Sequence, residues 1–235
     1  MATEYQVEID MDPQTVNALH SSNFRLYGFK AVRTDVGGGA PLVWFRTDNY
    51  STNTDISWKT QFQAYTSTDA IIPDGKVEAS FSENVDLGQT LNVDKAGGVG
   101  TVVGGGVKAA ISILNKTATQ YTCGISQVRD GKANPLCAFP LYGNHLDVIA
   151  PIEKVLLLFS TLPVNTGSVI EQAYGPGIYV DLTGAKDNLR KVRYDINKGW
   201  SWDGGVWAKQ VAPNESLVPL LIQNHASAVR AMRVA

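Results

Sequence analysis

The stretch EYQVEIDM, residues 4–11, decides the fold class. Tyr5, Val7, Ile9 and Met11 alternate with Gln6, Glu8 and Asp10, so one side is apolar and the other polar. A period of two residues is that of an extended chain with one face in a core. The same period recurs outward from this stretch. In ISWKTQFQAYTS (56–67) Ile56, Trp58, Phe62 and Ala64 share a side, opposite Lys59, Gln61, Gln63 and Tyr65. KVEASF (76–81) sets Val77, Ala79 and Phe81 together, and GIYVDL (177–182) does so with Ile178, Val180 and Leu182. FRLYGFKAV, PLVWFRT, GVKAAISIL, TQYTCGISQV and KVLLLFST are β-branched or aromatic runs bounded by turn residues, and also read as strands.

About twelve short strands punctuated by turns such as Pro73-Asp74-Gly75 predict an all-β fold, an antiparallel β-sandwich. Helix is expected at DPQTVNALHSS (12–22), with Asp12 as N-cap and Pro13 in the first turn. The tail NHASAVRAMRVA (224–235) fits either a short helix or a last strand. No fixed repeat suggests a propeller or solenoid. The 235 residues are expected to form one domain, with a candidate sub-domain junction at 94–109, where six glycines interrupt the strand pattern.

Composition excludes some partners. The net charge is −2 with no basic block, so nucleic acid is not an expected partner and no polybasic lipid patch is present. The first ten residues lack the basic and apolar segments of a secretory signal, and synthesis in the cytosol with leaderless release is the expectation. Cys123 and Cys137 flank the turn sequence VRDGKANP at similar distances. They are read either as two buried thiols or as a disulfide across a hairpin.

Catalytic and cofactor motifs are scarce. Gly98-x-Gly100-x-x-x-Gly104 lacks the following helix that a dinucleotide fingerprint requires, and no cofactor is expected. His145-x-Asp147 puts an imidazole and a carboxylate on one side of an extended chain, an incomplete metal site and a weak acid–base pair. Loop aromatics are the better candidates for ligand binding. Tyr50, Tyr142 and Tyr174 each neighbour turn residues, and Asn144 and His145 accompany Tyr142. Residues 96–107 are uncharged, bracketed by Lys95 and Lys108. Their length is near the roughly 9–11 residues of a tilted membrane-spanning strand, so they are either an inserting strand or a flexible glycine loop.

VKAAISILNKTATQYT (107–122) and KVLLLFSTLPVNTG (154–167), about an eighth of the chain, resemble strand segments of actinoporin-like cytolysins. The resemblance implies a β-sandwich that binds membrane lipid and assembles into pores. The chain departs from that family by opening on a strand rather than an amphipathic helix, and by lacking its dense Tyr/Trp cluster. No residue role transfers.

The leading expectation is thus a non-catalytic protein that recognises a glycan or lipid on a target membrane, as a pore-forming toxin assembling into a homo-oligomer. The alternative is a lectin-like binding protein without membrane activity, and the third an enzyme using His145 and Asp147. GWSWDGGVW (199–207) bears on all three. In the register Val192, Tyr194, Ile196, Trp200, Trp202 the tryptophans extend a core-facing row. A Gly204-Gly205 turn then pairs Trp202 with Trp207 across a hairpin, leaving Trp207 nearest the surface.

Overall fold

The computed structural model describes residues 2–224; the tail from His225 onward lies outside them. The chain runs β1 (Glu4–Asp10), α1 (Pro13–Ser21), β2 (Arg25–Thr34), β3 (Ala40–Pro41), β4 (Phe45–Thr47), β5 (Asn53–Lys59), β6 (Phe62–Ser67) and β7 (Phe81–Val85). It continues with β8 (Gln89–Val93), β9 (Gly100–Gly104), β10 (Ile111–Asn115), β11 (Tyr121–Arg129), β12 (Lys132–Pro135), β13 (Cys137–Leu141) and β14 (Leu146–Ser160). The last elements are β15 (Gly177–Asp181), β16 (Leu189–Asp195), β17 (Gly199–Ser201), β18 (Ala208–Val211), α2 (Val218–Leu221) and β19 (Ile222–Asn224).

The fold is all-β and sandwich-like, built from three sheets. One has the order β17-β16-β1-β5; a second runs β3-β13-β11-β6-β7 with β12 beside β11. The largest runs β18-β15-β14-β10-β8-β9, and β2, with β4 and β19, joins it through β14. Pairing is mixed rather than wholly antiparallel, since β1 with β16, β8 with β10 and β2 with β19 are parallel. The main core takes Val7 and Ile9 from the first sheet, Phe62 and Ile125 from the second, and Leu26 and Leu157 from the third.

The alternation of residues 4–11 is realised: Val7, Ile9 and Met11 are buried, and β1 lies between β5 and β16. Asp12 caps α1 by accepting the Thr15 N–H at 2.6 Å. The apolar run KVLLLFST is buried on both faces, as expected of a strand without alternation. Val155, Leu157 and Phe159 enter the main core; Leu156 and Leu158 enter a second cluster with Tyr27, Phe29, Leu217 and Leu221.

Two local readings fail. Residues 76–80 form no strand; Val77 is buried through a loop whose Lys76 bridges to Ser168. Tyr65, expected to share a polar face with Lys59 and Gln63, is fully buried, and its hydroxyl donates to the Cys137 carbonyl at 2.6 Å. Both faces of β6 are covered here, because Ala40, Leu42, Val77 and Val169 form a third cluster over Tyr65.

Candidate functional site

The aromatic-rich stretch 199–207 does not form the expected hairpin. Its first residues, β17, pair with β16, whereas β18 pairs with β15 in a different sheet. Residues 202–207 are therefore a corner by which the chain passes from one sheet to another. Trp200 is core, stacked on Phe159 and donating its indole N–H to the Pro176 carbonyl at 3.1 Å. Trp202 and Trp207 do meet, with ring centroids 6.4 Å apart at 58°, and both are half-buried.

The corner is fixed by its own bonds. Trp202 Nε1 donates to the Gly205 carbonyl at 2.7 Å, and the Trp207 carbonyl accepts the Asp181 N–H at 2.7 Å. A Cβ on Gly205 would lie 2.3 Å from the Trp207 ring, so that ring seats only against a glycine. Val206, between them, is fully exposed.

Around these rings β16, the turn before it and the end of β1 at Asp10 line a cleft of about 440 Å³. Arg190 on β16 lays its guanidinium 4.8 Å over the Trp207 ring, and its Nε donates to the Asp181 carbonyl at 3.3 Å. Lys186 and Asp187, from the turn before β16, Asp203 from the corner, and Asp10 and Arg193 also line it. No ion pair occupies Lys186 or Arg193 among the described residues; Lys191 at the rim pairs with Glu8. The cleft thus joins two indole surfaces to planar and charged hydrogen-bonding groups of both signs. That combination suits a ring with an apolar C–H face and hydroxyl edges.

The other sequence candidates separate. Tyr142, Asn144 and His145 sit together on an exposed loop, with the Tyr142 ring edge-on to His145 at 6.2 Å. Tyr142 and His145 border a hollow of about 560 Å³ shared with Gly37 and Gly38. Tyr50 is not a surface aromatic: it is buried, stacked on His20 at 4.3 Å, and donates to the Phe24 carbonyl at 2.8 Å. Burial and the nearby Asp48 push its hydroxyl up to about 12. Tyr174 is half-buried and spends its hydroxyl on the Asp74 carboxylate, so it ties two loops together.

His145 and Asp147 lie in different surroundings. His145 is exposed, whereas Asp147 is buried and accepts the Cys123 S–H through Oδ2 at 3.3 Å. Its Oδ1 is buried with no protein partner, and burial raises this carboxyl above its ordinary range. Cys123 and Cys137 are free thiols. Cys123 stands opposite Phe139, while the Leu136 N–H reaches the Ile125 carbonyl, so the two cysteines are offset along the ladder rather than facing. Burial pushes the Cys137 thiol up to about 12, which makes it a poor nucleophile.

Segment 96–107 contains a short 3₁₀ turn, Ala96–Gly98, followed by β9, which is hydrogen-bonded along β8 in the register Val93↔Gly100 to Gln89↔Gly104. Among the described residues no three His, Cys, Asp or Glu side chains gather as a metal site, and no helix is long and apolar enough to cross a membrane. No protein-family model, curated protein or solved structure matches the chain.

Sequence reasoning singled out Trp207 and its contact with Trp202, but not Arg190, Lys186 or Asp203. The signal for Arg190 was its place on the inward side of β16, two residues before Val192, where a cation requires an aromatic or acidic partner.

Proposed function

We propose that the protein is a carbohydrate-binding β-sandwich whose ligand, a sugar carrying an anionic group, lies against the exposed parts of the Trp202–Trp207 pair in the cleft between β16 and the 202–207 corner. The observation that carries this reading is the pair of half-buried indoles, Trp202 and Trp207, beside Arg190 and the cations Lys186 and Arg193, which have no ion pair among the described residues. The indole faces take the C–H side of a ring; Asp187 and Asp203 accept hydroxyl hydrogens; Lys186 and Arg193 take a carboxylate, sulfate or phosphate. A glycan array tests it: wild-type protein binds a set of acidic glycans, and Trp207→Ala loses them. An array without hits contradicts the proposal.

A membrane-inserting function is the second reading. It is favoured by one observation, that residues 96–107 carry no charge and present Val103 and Val107 to solvent. Dye release from liposomes made of a cell's extracted lipids tests it, and no release at micromolar protein removes it.

A further inference from the structure

The free edges of the three sheets differ in how they are guarded. An edge strand offers alternate N–H and C=O groups to any other extended chain, and proteins block this with charges, proline or short length. In β5 the guards are Asp55 and Lys59; in β7, Glu83; in β12, Lys132 and Pro135; in β18, Lys209. Strands β3, β4, β17 and β19 are only two or three residues long. The exception is β9, Gly100-Thr101-Val102-Val103-Gly104, which pairs with β8 on one side and with no strand on the other among the described residues. It has five residues, no charge and no proline, and it leaves Thr101 and Val103 exposed.

We propose that β9 is a self-association edge, pairing antiparallel with β9 of a second copy about a two-fold axis at Val102. The occupant follows from the composition. An isologous contact sets a strand against itself, so any charge near the axis would meet its own copy; β9 carries none. In this register Thr101 of each copy faces Val103 of the other on the exposed side, and Gly100 faces Gly104. Two β-branched side chains then pack across the new ladder, the pairing that strands favour. Lys95 and Lys108 stand outside the paired stretch. The largest sheet of each copy would join the other in one continuous sheet. With only five residues per copy the contact is small, so the dimer is weak and concentration-dependent.

Sedimentation velocity over a concentration series of the full chain tests this. Wild type should shift from monomer toward dimer as concentration rises. Thr101→Lys/Val103→Lys and Thr101→Glu/Val103→Glu should each remain monomeric, with unchanged thermal midpoints because both positions are exposed. Mixing the two variants should restore a heterodimer, since every cross-strand contact then joins opposite charges. A wild type that stays monomeric throughout, or a lysine variant that dimerises as wild type does, overturns the proposal. Loss of both variant homodimers without a heterodimer on mixing overturns the proposed register. The glycan cleft lies on other strands, so an array on the lysine variant keeps failure of that reading separate.

Discussion

Two places in this protein set a cation beside a pair of tryptophans that touch, and they end differently. In the core, Lys30 Nζ lies 4.4 Å from the Trp58 ring and 5.9 Å from Trp44, whose rings meet edge-on at 5.6 Å. Glu153, entering at the irregular stretch of β14 between Pro151 and Val155, bonds Lys30 at 2.7 Å and accepts the Trp58 indole N–H at 3.1 Å. Every strong group there is satisfied internally and Lys30 is buried. At the 202–207 corner, Arg190 over Trp207 has its Nε satisfied by a carbonyl, but the rings face about 440 Å³ of open cleft. The first arrangement is closed by its own carboxylate and serves the fold. The second is left open, and the proposed function rests on that opening.

Breaking the closed cage has the largest expected effect. Lys30→Met leaves Glu153 a partly buried charge without its cation, and should destabilise the protein by about 3 kcal/mol in urea unfolding. Lys30→Met/Glu153→Gln, which keeps an acceptor for Trp58, should recover most of that loss. If the single and double variants are equally unstable, Lys30 acts through packing alone.

At the open site the effects reverse. Trp207→Ala should weaken sugar binding at least about tenfold, as expected of a central aromatic contact, while costing about 1–2 kcal/mol of stability because the ring is only half-buried. Isothermal titration and urea unfolding of the same sample separate the two numbers. Arg190→Lys should fall between wild type and Trp207→Ala in affinity, since an ammonium does not lie flat on an indole as a guanidinium does.

The smallest expected effect concerns Asp147, which neither region uses. Its carboxyl is raised by burial, so it favours the folded state below the ordinary carboxylate pKa, and that contribution is lost as pH rises through the raised value. Asp147→Asn should therefore gain thermal midpoint relative to wild type between about pH 4 and pH 7. A constant difference across that range contradicts the assignment.

The same contrast shows what was legible in the sequence. Period two in residues 4–11 identified β1, and the two-sided burial of residues 155–159 agrees with an unbroken apolar run, because both signals are local. Topology was not legible. Trp58 and Phe62 appeared to share one continuous face, yet β5 and β6 belong to different sheets, the chain turning between them at Thr60 and Gln61. For the same reason the 202–207 corner read as a hairpin: two glycines permit a tight turn but do not say which strand receives the chain. Tyr50 read as a surface loop residue because its neighbours are Asn, Ser and Thr. Long-range packing, His20 of α1 stacked on its ring and Phe159 of β14 edge-on to it, makes it core. The site residues that escaped sequence reasoning, Arg190 and Lys186, come from a turn and a strand whose neighbours are set by that long-range topology.

The most direct test of the account observes all five indoles at once. In a ¹H–¹⁵N spectrum, the acidic glycan ranked highest on the array is titrated into wild-type protein. The indole N–H signals of Trp202 and Trp207 should shift and saturate together, with those of Trp44, Trp58 and Trp200 unmoved. Saturable shifts confined to the buried indoles, or none at Trp202 and Trp207 while the glycan binds, would contradict the assignment of the open tryptophan pair as the ligand site.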